Sequence, residues 1–320
     1  MSRYARQVIL PEVGAEGQGR LSSARVLVVG AGGLAAPVLP LLAGAGVGHL
    51  TIMDRDEVAL SNLHRQTLFT EVDCSRPKAE MAAERCRALN SEIAIFAEKQ
   101  ALANTNAANF VAESDVILDC ADSYAASYTL SDTCLDLGKP LISASVLGLS
   151  GYVGGFCGGA PSLRAVFPEA PDGGASCATA GVLGPVVAMI GAMQAQMALA
   201  VILGLNPSPL GQMVQFDART LRSTGFRFDG TPEPASHFPF LSAGQLTGND
   251  LIVELRSAEE APVPIHPKAR RIDLQILKTE PNKGKRLALC CASGLRAWRA
   301  AEQIQPDWPG EIVLVAASTS

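Results

Sequence analysis

The chain has 320 residues, 48% of them hydrophobic, and this length suggests about two domains. The formal net charge of −5 and the lack of a basic tract argue against nucleic acid as a main partner. No signal-peptide stretch opens the chain, and its eight cysteines form no CxxC pair, so we expect a cytoplasmic protein with reduced thiols.

The first part of the chain alternates short apolar runs with helical patterns. The runs predict strands at residues 25–30, 49–54, 93–97, 115–120 and 140–144. The intervening patterns predict helices at residues 36–46, 77–90, 104–112 and 131–137. Because this alternation favours a parallel sheet covered on both faces, we predict an α/β, Rossmann-like fold with ligands at the strands' carboxyl ends.

One apolar segment, residues 178–205, carries no charge and is long enough to span a bilayer. It also contains Pro185, Gln194, Gln196 and many small residues, and no basic cluster flanks it. We therefore interpret it as a buried or interface helix and expect no membrane partner.

The composition changes after residue 230. Residues 231–240 are rich in proline and polar side chains, which predicts a linker between a domain at 1–230 and another at 241–320. The second domain contains predicted strands at 251–256, 286–291 and 311–317 and a helix at 296–304. It is therefore a small α/β unit.

A glycine-rich turn follows the first predicted strand. Gly30, Gly32 and Gly33 allow backbone to approach a phosphate closely, and the helix that begins there presents free N–H groups to the anion. Asp54 ends the next strand, where its carboxylate can accept hydrogen bonds from a ribose. By themselves these residues indicate a dinucleotide site with NAD as the default ligand.

The residues after Asp54 favour a triphosphate instead. Arg65 lies in a polar run just beyond the strand end, and Lys78 begins the next helix, so both cations suit the larger charge. Asp122 follows the strand at 115–120, and a carboxylate at that sheet edge can hold Mg²⁺. ATP is therefore the expected nucleotide.

A set of motifs recurs in one order over residues 3–225. They are RYARQ at 3–7, GAGGL at 30–34, D-x-D at 54–56, SNLHRQ at 61–66, PK at 77–78, DCADS at 119–123 and SCATAGVLGP at 176–185. The set resembles the ubiquitin-activating-enzyme-like superfamily, in its ThiF and MoeB branch. The resemblance implies ATP-dependent adenylation of the carboxyl-terminal Gly-Gly of a small sulfur-carrier protein, with release of pyrophosphate. The thiamine-pathway carrier ThiS is the preferred substrate, and a MoaD-type molybdopterin or tRNA-thiolation carrier is the alternative.

The resemblance also implies roles for single residues. Asp54 would hold the ribose, Asn62, Arg65 and Lys78 the phosphates, and Asp122 would bind Mg²⁺ or polarise the reacting centre. Arg6 would reach the nucleotide of the other subunit in a homodimer. The full set of predicted nucleotide contacts is Gly30, Gly32, Gly33, Asp54, Asp56, Asn62, Arg65, Gln66, Lys78 and Asp122.

The sequence departs from the family pattern in two respects. Ser123 and Ser127 stand where the family has asparagine and arginine, so Mg²⁺ or other residues must compensate for a lost contact. The family often carries two CxxC pairs for structural zinc, and neither residues 162–165 nor the segment after Phe228 contains one. Since structural zinc needs four good ligands, we predict no structural zinc.

Two cysteines are candidate nucleophiles. In the resembling families a cysteine placed like Cys177 forms a thioester or acyl disulfide with the carrier, and the alternative is an unreactive loop cysteine. The loop from Cys291 to Arg296 resembles the rhodanese active-site loop, although Ala292 replaces the usual arginine. The second domain is thus either a rhodanese-like sulfurtransferase, with a cysteine desulfurase as a further partner, or a degenerate structural copy.

Two functions from other classes stay open. An NAD-dependent oxidoreductase would share the glycine turn, but no acid or base suited to hydride transfer is evident near the sheet edge. A non-catalytic scaffold that only binds carrier and nucleotide is motivated by Ser127, which removes a cation.

Overall fold

The structure, a computed structural model, describes residues 3–171, 181–279 and 285–317. It contains a large eight-stranded sheet and a small four-stranded sheet, with helices against both. The mixed α/β class predicted from the alternation of strands and helices is confirmed.

The large sheet has the strand order β3-β2-β1-β4-β5-β6-β7-β8. Its strands are β1 (Arg25–Val29), β2 (His49–Met53), β3 (Ala94–Glu98), β4 (Val116–Asp119), β5 (Pro140–Leu147), β6 (Ser150–Cys157), β7 (Gln212–Asp217) and β8 (Arg222–Arg227). The first five in chain order pair in parallel and match the predicted strands, whereas β6, β7 and β8 add antiparallel pairs. The sequence did not reveal these last three, because β6 is rich in glycine and β8 is exposed along its whole length.

The helices of this first unit are α1 (Ala5–Val8), α2 (Gly14–Ser23), α3 (Ala35–Ala45), α4 (Lys78–Leu89), α5 (Asn104–Ala112), α6 (Tyr124–Asp136), α7 (Leu163–Val166) and α8 (Gly184–Leu203). Helices α1 and α2 were not predicted, and α2 contains three glycines that lower its intrinsic helix propensity. Helix α6 begins earlier than predicted, because its serines and threonines hide its buried face in the sequence pattern.

Helix α8 is the apolar segment predicted to be buried or to lie in an interface. It packs against α3, β4, β5 and β6, and a Cβ on Gly191 would come within 2.5 Å of the Leu34 carbonyl oxygen. Buried Gln194 donates its Nε2 to the carbonyl oxygens of Asp119 (2.7 Å) and Ile142 (2.9 Å). By length and composition α8 could cross a membrane, but its small and amide residues fit it to the interior of this fold.

The small sheet has the order β10-β11-β12-β9, and all its strands pair in parallel. Its strands are β9 (Phe240–Leu241), β10 (Leu251–Glu254), β11 (Leu287–Cys291) and β12 (Ile312–Ala316), and its helices are α9 (Leu274–Thr279) and α10 (Leu295–Ile304). The three predicted strands and the predicted helix are present. Phe240, the last residue of the predicted linker, pairs with Leu314, so that segment ends inside a strand.

One hydrophobic cluster contains buried side chains from both sheets and forms the shared core of the two units. Tyr128 of α6 packs edge-on against Trp298 of α10, with ring centroids 4.6 Å apart. The guanidinium of buried Arg164 lies 4.8 Å from the centre of the Tyr128 ring and bonds both Asp132 and the Phe238 carbonyl. The C-terminal unit, residues 240–317 in the described ranges, therefore packs directly against the first.

Candidate active site

A cavity of about 530 Å³ opens at the edge of the large sheet where the parallel strands end. Every predicted nucleotide-binding residue except Asn62 lines it, namely Gly30, Gly32, Gly33, Asp54, Asp56, Arg65, Gln66, Lys78 and Asp122. Asn62 lies in a short 3-10 helix, where its carbonyl oxygen accepts the backbone N–H groups of Arg65 and Gln66. Its backbone thus helps to shape the turn that carries two cavity residues, and its predicted contact with phosphate stays a prediction.

The glycine turn is fixed by close contacts that only glycine allows. Gly30 has φ +91°, and a Cβ there would lie 2.6 Å from the Cys120 carbonyl oxygen. A Cβ on Gly33 would lie 2.8 Å from Val187 of α8, so this glycine sets how closely the turn meets that helix. The N-cap residue of α3, Leu34, makes no side-chain cap hydrogen bond within the described part of the chain, and such a terminus favours an anion.

Asp54 ties the end of β2 to this turn. Its Oδ2 accepts the Ala31 N–H and its Oδ1 accepts the Asp56 N–H, each over 2.7 Å. Burial raises the pKa of Asp54 above its ordinary value, and these two hydrogen bonds offset part of that effect. An ionised carboxylate has further lone pairs, so Asp54 can still accept a bond from a ribose hydroxyl.

Cationic groups face the cavity from two segments. Lys78 is buried at the start of α4, and its Nζ lies 3.2 Å from Oδ2 of the largely exposed Asp56. Arg65 is only partly exposed, and its Nη1 lies 2.8 Å from the His64 ring. Gln66 is 4% exposed, and its Oε1 has no hydrogen-bond partner among the described residues. This buried acceptor fits a donor from a bound ligand.

Two aspartates, Asp119 and Asp122, lie at the end of β4, and only Asp122 was predicted as a site residue. Asp122 is exposed on the cavity wall. Asp119 is 1% exposed beneath it and accepts hydrogen bonds from the Ser143 hydroxyl (2.8 Å) and from Ser127. Burial raises the pKa of Asp119 to about 6. The sequence contained Asp119 as the first residue of DCADS, but its burial could not be read from the motif.

The serine that replaces the family's arginine has a partner in this structure. Ser127 lies on α6 and bonds the Asp119 carboxylate, so no cation neutralises that buried group from this position. Ser127 also lines the cavity beside Ser123. The departure therefore places two uncharged hydroxyl side chains at positions where the family has asparagine and arginine, in line with the predicted loss of a contact.

The far half of the cavity lies over β4, β5 and β6 and was not predicted as a site. Aromatic and apolar residues form it, and the rings of Tyr152 and Phe167 lie 5.4 Å apart. Ser293 and Leu295 of the C-terminal unit also line it. Ser293 and Leu295 belong to the loop that resembles the rhodanese active-site loop, but no motif pointed to Tyr152 or Phe167. These residues line one cavity with that loop only because of the antiparallel end of the sheet and the packing of the second unit.

The predicted sulfur loop lies at this junction. Cys291 ends β11 and is 1% exposed, and its Sγ accepts the N–H groups of Gly294 (3.1 Å) and Ala297 (3.4 Å). Arg296, the last residue of the loop, forms an ion pair with Glu260. Two N–H groups at a helix N-terminus are the environment that stabilises a sulfur anion.

Two other predicted residues lie elsewhere. Arg6 is exposed on α1 and does not line the cavity of its own chain, so its predicted role across a dimer stays a prediction. Cys177 lies outside the described residues, and its role as a covalent nucleophile also stays a prediction.

The segments that would carry zinc cysteines in the family lie side by side. The Ser162 N–H and hydroxyl donate to the two carboxylate oxygens of Glu233, over 2.7 and 2.5 Å. Within residues 3–171, 181–279 and 285–317 no group of three or more His, Cys, Asp or Glu side chains could hold a metal ion. A hydrogen-bonded pair joins the two segments here.

Known proteins resemble this chain in sequence and fold. A sulfur carrier protein adenylyltransferase of Thermus thermophilus is 41% identical over 226 residues, which cover 68% of this chain and 83% of that protein. The adenylyltransferase and sulfurtransferase MOCS3 of Bos taurus is 44% identical over 219 residues, 68% of this chain and 48% of that protein. The chain spans about half the length of the MOCS3 proteins that it matches.

The fold is shared with more distant enzymes as well. A crystal structure of E. coli MccB with ATP superposes with a TM-score of 0.64 at 21% identity, covering 73% of this chain and 74% of that one. At this identity the likeness concerns the fold alone. Residues 4–236 match the description of the ThiF family, and they contain the glycine turn and the cations of the cavity. The chain belongs to the ThiF family.

Proposed function

We propose that this chain uses ATP to adenylate the carboxyl-terminal Gly-Gly of a small sulfur-carrier protein. ThiS of thiamine biosynthesis is the preferred carrier, and a MoaD-type or tRNA-thiolation carrier is the alternative. The names of the related adenylyltransferases support the reaction class. The observation that carries the proposal is the single cavity that joins the glycine turn, Arg65, Lys78 and Asp122.

The near half of the cavity is the part lined by the glycine turn, Asp54, Arg65 and Lys78. Its residues suit a nucleoside triphosphate. The uncapped start of α3 and the glycine turn offer N–H groups to phosphate, and Arg65 and Lys78 reduce its charge. Phosphate would compete with Asp56 for Lys78, since these two groups are only 3.2 Å apart. Asp54 and the free Oε1 of Gln66 would accept hydroxyl or amino donors from the nucleoside.

The chemical step needs orientation more than acid or base. The carrier carboxylate is already ionised when it attacks the α-phosphorus, a new P–O bond forms and pyrophosphate leaves with its electron pair. Two anions must be held together, so the main contribution of the chain is charge neutralisation and alignment. An acyl-adenylate is a much better electrophile than a carboxylate, which is what later sulfur transfer requires.

Magnesium fits this cavity as a partner of the triphosphate. In proteins Mg²⁺ is typically bound by one or two carboxylates together with substrate phosphates and water. Asp122 supplies one exposed carboxylate at the cavity wall, next to the backbone of Ser123. The ion would neutralise phosphate charge, which Ser127 in place of arginine leaves to other groups.

Sulfur transfer by Cys291 is a second proposed activity, supported by the two N–H groups on its Sγ. The thiolate would take the outer sulfur of thiosulfate, or of a cysteine desulfurase persulfide, and release sulfite or cysteine thiolate. The terminal sulfur of the resulting persulfide would attack the carrier acyl-adenylate, and AMP would leave. An external thiol would then cleave the acyl disulfide to give a thiocarboxylate. Because Cys291 is 1% exposed, the loop must open for the donor.

The assembly and location belong to the same proposal. A cytoplasmic homodimer would bring Arg6 of one subunit to the nucleotide of the other, as the resemblance implies. The position of Arg6 on an exposed helix, away from its own cavity, supports this arrangement.

ATP–pyrophosphate exchange with purified ThiS-type, MoaD-type and tRNA-thiolation-type carriers tests the main proposal. We expect exchange that depends on one of the carriers and on Mg²⁺, because the acyl-adenylate forms reversibly. ATP binding with no exchange would indicate a scaffold, and preferential binding of NADH would indicate an oxidoreductase. Sulfur transfer is tested separately by an assay for cyanide-releasable sulfur. We expect such sulfur on the wild type and none on Cys291→Ser.

A further inference from the structure

The far wall of the cavity includes an irregular segment, residues 167–171. Phe167, Glu169 and Pro171 of this segment line the cavity, and the Phe167 ring packs against Tyr152. The segment follows helix α7, which ends at Val166, and it belongs to no helix or strand. Its backbone groups therefore need partners from elsewhere in the fold.

Those partners come largely from helix α10 of the C-terminal unit. Oε1 of Glu302 accepts the Ala170 N–H over 2.8 Å, and the Arg299 guanidinium donates to the Pro171 carbonyl oxygen, with Nε at 3.1 Å. Arg299 and Glu302 are three residues apart, so they lie on one face of α10. Both bonds involve a charged group, which makes them stronger than neutral hydrogen bonds.

The same segment is fixed at its start through the shared core. The Tyr128 hydroxyl donates to the Phe167 carbonyl oxygen over 2.9 Å, and the Tyr128 ring packs against Trp298 of α10. The wall is thus held at three points along five residues, and α10 takes part in all of them. A helix that only buried apolar surface would not need two charged side chains aimed at the backbone of this segment.

We propose that the C-terminal unit is part of the adenylation site, with Arg299 and Glu302 as positioning residues for the wall that orients the carrier's C-terminal peptide. This inference rests on the proposed adenylation. The near half of the cavity is the part proposed to bind the nucleotide, and Phe167, Glu169 and Pro171 of the wall line the same cavity in its far half. Loss of either charged contact would let the wall loosen and would misalign the carrier peptide, while the nucleotide contacts remain.

The test compares Glu302→Ala with Glu302→Gln and with Gln303→Ala, a change at an exposed neighbour on the same helix. Three quantities are measured: the kcat and KM for the carrier in pyrophosphate exchange, the Kd for ATP alone, and the amide hydrogen exchange rate of Ala170. For Glu302→Ala we expect kcat/KM for the carrier to fall by about tenfold or more, with the Kd for ATP within about twofold of wild type. Glu302→Gln should recover most activity, because its amide oxygen can still accept the Ala170 N–H.

Arg299→Ala gives an independent variant, since among the described residues the Arg299 side chain is hydrogen-bonded to the Pro171 carbonyl oxygen and not to Ala170. Wild-type kcat/KM in both alanine variants would overturn the proposal, as would an equal loss of ATP affinity. If the wild type shows no pyrophosphate exchange with any carrier, the proposed function fails, and the amide hydrogen exchange of Ala170 then decides whether Glu302 positions the wall. Faster hydrogen exchange of that amide in Glu302→Ala than in Gln303→Ala supports the positioning role, and equal rates overturn it.

Discussion

Two carboxylates at the end of β4 differ in environment although only two residues separate them. Asp122 is exposed on the cavity wall, whereas Asp119 is 1% exposed and is surrounded by hydroxyl donors instead of a cation. Solvent and any bound Mg²⁺ can stabilise the charge on Asp122. Burial disfavours the charge on Asp119, so its proton is retained to about pH 6.

Replacing Asp119 with asparagine should therefore change how stability depends on pH. The raised pKa favours the protonated folded state, so the stability it contributes is present below about pH 4 and is lost as pH rises through about 6. A shift from 3.8 to about 6 corresponds to about 3 kcal/mol. The difference in unfolding free energy between Asp119→Asn and wild type should move by about this amount in favour of the variant from pH 4 to pH 7.

Urea unfolding at several pH values measures this difference, and Asp136→Asn is a control because Asp136 is exposed at the end of the same helix that carries Ser127. A constant difference between Asp119→Asn and wild type across the range would mean that the pKa of Asp119 is the same in the folded and unfolded states, and so would contradict the raised pKa.

For Asp122 we expect a role in the proposed reaction. Asp122→Ala should abolish carrier-dependent pyrophosphate exchange, because it removes the carboxylate that would face the phosphates and Mg²⁺. The melting temperature should barely change, since the side chain is exposed. Asp136→Ala is the matched control, and near wild-type exchange in Asp122→Ala would refute the assigned role.

At the scale of single elements, the glycine turn and the helix after it set the geometry of the nucleotide half. Gly30→Ala should weaken ATP binding and destabilise the protein, because its Cβ would lie 2.6 Å from the Cys120 carbonyl oxygen at a φ of +91°. Gly44→Ala on α3 meets no atom within 4 Å and should stabilise the protein by about 0.5–1 kcal/mol. Calorimetric ATP titration and thermal unfolding of both variants check this, and equal effects would contradict the argument.

Also at the scale of elements, the hydrogen bonds between Ser162 and Glu233 join two segments of the chain, and we expect them to hold these segments together without a metal ion. Glu233→Ala should lower stability by about 1–2 kcal/mol, because it leaves the Ser162 N–H and hydroxyl without their acceptor. Glu259→Ala, at another exposed glutamate, should have no measurable effect. EDTA should leave the unfolding midpoint of the wild type unchanged, and about one zinc per chain by elemental analysis would refute the prediction.

At the scale of the whole molecule, the shared core predicts that both sheets unfold together. Trp298 is 2% exposed and contacts Tyr128 and Arg164 of the first unit. Trp298→Ala should lower the free energy of unfolding by about 3–5 kcal/mol. Calorimetry should show a single transition at a lower temperature than in the wild type. Val263→Ala, at an 80% exposed position of the C-terminal unit, should leave that transition in place. Two separated transitions in the wild type would show that the units are independent.

Much of the fold could be predicted because strong local patterns coincide with its parallel half. The apolar strands β1, β2 and β4 and the glycine turn have signals that do not depend on distant residues. The antiparallel strands gave no such signal, since β6 is built around glycines that allow close packing and β8 is an exposed edge. Elements of that kind are defined by the neighbours they pair with.

The sequence by itself determined the near half of the cavity, because strand ends and a glycine turn bring Asp54, Lys78 and Asp122 to one sheet edge whatever surrounds them. Only the tertiary structure decided the far half, where Phe167 of the first unit and Leu295 of the second line one cavity. It also decided that Asp119 is buried and that α10 holds the wall. Burial and contacts between distant segments depend on how whole elements pack, and no short motif encodes them.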